Sequence, residues 1–201
     1  MQQVREEVRR LAEHGIGCVL MAAGASSRFG ADKLSARLGG VSLLRRAALA
    51  VPAEHLRTVA LVTARPEGRA LAVEFGFRLV ENTEPERGAS LTVRLGLEAV
   101  RPCDAALFMT ADQPLLRRET VERLIDAWLA QPERIAALAH SGVRGNPCIF
   151  PARYFDELLA LEGDRGGSAV IRQHPEALLL VEAAAEELAD VDTARDLAEL
   201  A

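Results

Sequence analysis

Two short segments of this chain carry residue types that could do chemistry together. The first, residues 21–33, reads MAAGASSRFGADK. Its small residues Ala22, Ala23, Gly24, Ala25 and Ser26 let several backbone N–H groups approach a single anion. Arg28 and Lys33 follow within one loop's length and supply fixed positive charge. A polyphosphate held at the end of a parallel strand is the occupant that such a loop suits. The second segment is ADQPLL, where Asp112 ends the apolar run AALFMT. A carboxylate at that place is a hard oxygen ligand of the kind Mg²⁺ takes while sharing phosphate oxygens. An aspartate just before Pro114 is equally suited to starting an Asx turn.

Both segments need strands to position them. The apolar run 16–20 reads as a buried strand, and further strands are expected over 58–63, 77–80, 105–110, 134–139, 148–150 and 178–181. Helical spacing is found over 67–75, 90–100 and 119–129. This alternation predicts an α/β fold of three layers, Rossmann-like, with a mostly parallel sheet and helices on both faces. Right-handed crossovers bring the loops at the strand carboxyl ends to one side, which is where open α/β sheets bind ligands. Residues 1–15, with Val4, Val8 and Leu11 among Arg and Glu, read as a charged amphipathic leader helix. Residues 16–201 show no repeat, low-complexity tract or linker and are expected to form one domain.

Composition narrows the classes. A chain of 201 residues with 49% hydrophobic content can bury one substantial core. Its formal net charge of −5 argues against a general nucleic-acid binder, which needs a broad phosphate-neutralising surface. Cys18, Cys103 and Cys148 are far apart and form no CxxC pair, which fits reduced thiols in a cytoplasmic protein. The histidines show no HxxxH pairing. No apolar run has transmembrane length and no signal peptide is evident, so no membrane association is expected. A GxSxG nucleophile elbow is absent, as are GxxxxGK(S/T) and a GxGxxG after the first strand.

Three further segments have local readings. In ENTEPERGASLTV, Gly88 permits tight backbone geometry and Ser90 is placed to cap the helix that follows. GDRGG, residues 163–167, reads as a connection between two helices. In DVDTARDL, Thr193 and Asp196 have capping-box spacing at the start of a last helix.

The loop at 21–33 resembles the opening signature of the MobA-like nucleotidyltransferases, AAGxSxRxGxxK, at Ala22, Ala23, Gly24, Ser26, Arg28, Gly30 and Lys33. ADQP resembles that family's DxP segment, in which the aspartate holds the catalytic magnesium. The resemblance runs from 16 to about 200 and implies a nucleotide-diphosphosugar-transferase-like fold. With GNPCIFP at 145–151, the AAG and ADQP forms look most like molybdenum cofactor cytidylyltransferases, which join CMP from CTP to the terminal phosphate of molybdopterin and release pyrophosphate.

Carried onto this chain, the resemblance implies Arg28, Lys33 and Asp112 as catalytic residues, with Mg²⁺ on Asp112 and Asp192. It implies nucleotide contacts from residues 22–26, Arg28, Lys33, Asn82, Gly88 and Ser90, and acceptor contacts from Asn146 and Asp164. A molybdenum-dependent dehydrogenase would be the partner receiving the product. Phe29 stands where methionine is frequent and Ser42 where relatives carry proline. Two other readings stay open: a relative using GTP or a different phosphate acceptor, and a non-catalytic protein that escorts molybdenum cofactor without forming pyrophosphate.

Overall fold

The computed structural model describes residues 15–24, 29 and 32–200. Apart from Gly15, the expected leader helix lies outside the described residues. The strands are β1 Ile16–Met21, β2 Arg37–Leu38, β3 Val41–Ser42, β4 Thr58–Val62, β5 Arg78–Val80, β6 Ala105–Thr110, β7 Ile135–His140, β8 Val143–Pro151 and β9 Leu178–Glu182. Seven of them form one sheet in the order β5-β4-β1-β6-β8-β7-β9, while β2 and β3 pair as a small hairpin beside it. All pairings in the large sheet are parallel except those of β8, which runs against both β6 and β7.

The helices are α1 Leu43–Leu49, α2 Pro66–Phe75, α3 Ala89–Val100, α4 Arg118–Ala130, α5 Phe155–Leu159, α6 Ser168–Gln173 and α7 Ala194–Glu199. Strand alternation sends successive side chains to opposite faces. Cys18 and Leu20 of β1 therefore join Leu44 of α1, Leu71 of α2 and Leu124 and Trp128 of α4 on one face. Val19 of the same strand joins Val93 and Leu97 of α3 and Phe155 and Leu158 of α5 on the other. Each such fully buried apolar side chain contributes roughly 1.5–3 kcal/mol. The expected three-layer, mostly parallel arrangement is the one observed. No described helix is long and apolar enough to cross a membrane.

The antiparallel strand has a local cause. After β7 the chain turns through Ser141 and Gly142, with φ of 50° and 79°. Two successive left-handed residues match the twist of a hairpin, so β8 returns directly beside β7. The strand expected over 148–150 is thus the buried part of a longer one. Cys18 and Cys148 are buried free thiols, and burial pushes the Cys148 thiol up to about 11.

Order within the sheet reverses at β1. The chain moves outward through β4 and β5 on one side, and then returns to place β6 on the other. The crevice at the carboxyl ends of β1 and β6 is therefore the topological switch point.

Candidate active site

The loops leaving β1 and β6 start side by side, with Ala22 N donating to Val62 O at 2.9 Å and Ala111 N to Met21 O at 3.1 Å. Between them opens a cavity of about 570 Å³, lined by Ala23, Gly24, Lys33, Gly88, Thr110, Asp112, Asp164 and Asp192 among others. That size suits a nucleotide-scale ligand. Ala25, Ser26, Arg28 and Gly30, named above from the loop motif, lie outside the described residues.

Lys33 begins a short 3-10 turn, Lys33–Ser35, anchored by buried Leu34. Its ammonium bridges two carboxylates, lying 2.9 Å from Asp112 Oδ2 and 3.2 Å from Asp192 Oδ1. Burial alone would lower the Lys33 ammonium, but the charge and hydrogen bond of Asp112, followed by those of Asp192, hold it above the usual lysine range. The other Asp112 oxygen, Oδ1, and Thr110 Oγ1 are buried with no hydrogen-bond partner among the described residues. A buried carboxylate oxygen left unpaired is costly in water's absence, and a cation is the group that would relieve it.

Asp192 reaches this place through the tail of the chain. Val191 N donates to Asp112 O at 2.9 Å, and Gln113 Nε2 donates to Leu188 O at 3.2 Å. Buried Glu187 accepts from Arg117 N at 3.1 Å. The capping box at Thr193 and Asp196 is present, and Asp196 Oδ2 also accepts from Asp192 N at 2.9 Å. The cap and the metal-ligand reading of this segment are thus compatible: the cap holds the backbone while the Asp192 side chain faces Lys33. Asp190, solvent-accessible at its outer surface, has its carboxyl pushed up to about 6 by desolvation, then by the negative charges of Asp112 and Asp192.

The opposite wall is made by α3 and the 163–167 loop. Ser90 N donates to Gly163 O at 3.1 Å and Ala89 N to Asp164 Oδ1 at 3.4 Å. Gly88 has φ 87° and ψ −177°, and a Cβ there would lie 2.5 Å from Gly163 C and O. Only glycine allows this contact. The expected cap is corrected here: α3 starts at Ala89 with Gly88 as its N-cap, which has no side chain to cap with. Ser90 lies inside the first turn, buried, with its own N–H donated to Gly163 O while the Asp164 carboxylate accepts from Ala89 N.

Asn82 is buried, donates from Nδ2 to Thr92 Oγ1 at 3.0 Å, and accepts from Glu84 N at 3.1 Å. It lines a second hollow of about 340 Å³ that shares Ala23 and Gly24 with the first. Asn146 stands apart from both linings. It is on β8, two residues before Cys148, and its Oδ1 lies 3.7 Å from that residue's Sγ. The structure thus brings Ala23, Gly24, Lys33, Gly88, Asp112, Asp164 and Asp192 together around one cavity. Ala22 contributes backbone beneath it, and Asn82, Ser90 and Asn146 are set back.

Arg65 was not among the residues singled out from sequence. Its Nε binds Asp32 Oδ1 at 2.6 Å, one terminal nitrogen binds Ala22 O, and the other binds Gly24 O at 3.0 Å. The cue in the sequence was faint, an arginine before a proline that opens a helix. A different carboxylate group, Glu54 and Glu122 around His55, has metal-ligand spacing, but Arg118 pairs with both glutamates.

Comparison with known proteins agrees with this fold. Rv0371c from Mycobacterium tuberculosis superposes with a TM-score of 0.77 at 26% identity, covering 93% of this chain and 97% of that one. A complex of Rv0371c with manganese gives 0.73 at 23% identity, covering 93% and 97%. A nucleotidyl transferase from Methanothermobacter thermautotroptrophicus gives 0.77 at 21%, covering 92% and 95%. CMP:2-keto-3-deoxy-manno-octonic acid synthetase complexed with CTP gives 0.69 at 15%, covering 92% and 96%. No curated protein sequence matches significantly. The family model of the MobA-like NTP transferase domain matches residues 18–178, and the chain belongs to that family.

Proposed function

We propose that this protein is a Mg²⁺-dependent cytidylyltransferase that joins CMP from CTP to the terminal phosphate of molybdopterin and releases pyrophosphate. The observation that carries the reading is the set Asp112, Lys33 and Asp192 on one cavity, with Lys33 in contact with both carboxylates. The Lys33 ammonium already sits between the two carboxylates, and Asp112 keeps a buried oxygen without a partner among the described residues. These residues fit a divalent ion of the oxygen-seeking kind. Asp112 and Asp192 would hold it, and when bound it would neutralise charge on phosphate oxygens. Support also comes from neighbours of the same fold, one in complex with manganese and one with CTP.

The chain's own residues then bind and orient. Backbone around Ala23 and Gly24, with Lys33 and Arg28, would hold the triphosphate and take up charge on the leaving pyrophosphate. An oxygen of the acceptor phosphate would attack the α-phosphorus in line. One P–O bond forms as the bond to the bridging oxygen of the β-phosphate breaks, and its electron pair leaves with pyrophosphate. An acceptor that is already anionic needs no strong general base, so positioning and charge neutralisation suffice. Asp164, on the α3 side of the cavity, faces the acceptor in this arrangement, while Asn146 on β8 would act from further off. The product would pass to a molybdenum-dependent dehydrogenase in the cytoplasm.

The test is pyrophosphate release with molybdopterin and Mg²⁺, comparing CTP, GTP and ATP. Release with CTP alone is expected. Release with GTP alone would move the protein to a guanylyl-transferring reading. Binding without release from any nucleotide would favour the escort role.

A further inference from the structure

Arg65 joins both ends of the β1 loop, and the residues around it fix the backbone that presents it. Thr63 Oγ1 accepts from Arg65 N at 3.1 Å, fixing the backbone just before the helix. Pro66 follows at the first position of α2, and Arg65 serves as its N-cap. Gly68, one turn on, lies so close that a Cβ would stand 2.3 Å from Thr63 Cγ2. From that base the guanidinium reaches back to the carbonyls of Ala22 and Gly24 and to the carboxylate of Asp32. Burial alone would raise the Asp32 carboxyl, but hydrogen bonds from Arg65 and Ser35 with the Arg65 charge bring it below its ordinary value.

Carbonyl oxygens repel phosphate, and a loop that binds a polyanion must turn them elsewhere. Ala23 and Gly24 line the main cavity, while the carbonyls of Ala22 and Gly24 are spent on Arg65. The planar fork of an arginine can meet two carbonyls and a carboxylate at once, which a lysine cannot.

We propose that Arg65 is the positioning residue of the nucleotide loop, holding its two ends, residues 22–24 and Asp32, in place before ligand arrives. This rests on reading the loop as nucleotide-binding. Preorganisation of this kind lowers the cost of binding rather than adding a contact to the ligand.

The test compares wild-type protein with Arg65→Ala and Arg65→Lys in two measurements. Calorimetry with inorganic pyrophosphate and Mg²⁺ reads the anion site without needing an acceptor. Affinity is expected to fall roughly tenfold in Arg65→Ala, from the loss of charge-assisted hydrogen bonds. Millimolar guanidinium chloride should restore most of it, and Arg65→Lys should stay weak. Amide hydrogen exchange should show faster exchange at residues 22–24 and Asp32 in Arg65→Ala, with β1 and β6 as protected as in wild type. Wild-type pyrophosphate affinity in Arg65→Ala, or loop exchange that does not change, would overturn the proposal. Weakened binding that guanidinium does not restore, with exchange faster throughout the sheet, would reduce Arg65 to a general structural role and overturn it too. If wild-type protein binds no pyrophosphate, the nucleotide reading of the loop fails, and hydrogen exchange still decides whether Arg65 holds the loop.

Discussion

Where β1 and β6 begin, three hydrogen bonds tie the entering chain segments together. Gly15 N donates to Asp104 Oδ2 at 2.7 Å, Asp104 N to Gly15 O at 2.8 Å, and Arg57 N to Ile16 O at 2.8 Å. Where the same two strands finish, the accounts are left open. Thr110 Oγ1 and Asp112 Oδ1 are buried without partners among the described residues, and Lys33 is shared between two carboxylates. One pair of strands thus has a satisfied end and an unsatisfied one. The satisfied end serves stability. The unsatisfied end costs stability, and under the proposed function a bound nucleotide and metal ion would complete it.

Substitutions at the two ends should separate these roles. The largest effect is expected from Asp112→Asn, which should cut turnover by roughly 10²–10³-fold while the melting temperature holds or rises. Steady-state pyrophosphate release and calorimetric unfolding check the two halves of that statement. Next comes Lys33→Met, expected to weaken CTP binding roughly 10–100-fold by losing a charged phosphate contact. The same variant should bind Mn²⁺ more tightly than wild type when nucleotide is absent, because the ammonium no longer competes for Asp112 and Asp192. Paramagnetic resonance titration reads that directly.

Gly88→Ala tests the cavity wall at the unsatisfied end. Its backbone lies in a region essentially reserved for glycine, so about 1–3 kcal/mol of stability should be lost. The KM for nucleotide should rise as well, since the 163–164 loop must back away from a cavity it helps to line. The smallest effect belongs to Asp104→Ala at the satisfied end. Loss of one exposed hydrogen bond should cost about 0.5–1.5 kcal/mol in denaturant unfolding and leave kcat unchanged.

What sequence made legible follows the same division. Local signals sufficed for β1 and β6, for Asp112 at a strand's end, and for the capping box at Thr193, because each depends on residues a few positions apart. The β8 hairpin depended on Ser141 adopting a left-handed backbone, which no hydrophobic pattern announces. Ser90 was misplaced as a cap because its rival, the backbone of Gly163, lies far along the chain. Arg65 was missed for a similar reason: its partners Ala22 and Gly24 are more than 40 positions away. Asp192 was named by resemblance, yet what brings it to Asp112 is the bond from Val191 N, which no spacing rule contains.

The contrast between the two ends is tested most directly by measuring pyrophosphate release from CTP, with molybdopterin and Mg²⁺, for wild type, Asp112→Asn and Asp104→Ala side by side. The account expects release by wild type and Asp104→Ala at similar rates and almost none from a folded Asp112→Asn. Turnover by Asp112→Asn close to that of wild type would contradict it, and would remove the carboxyl end of β6 from the chemistry.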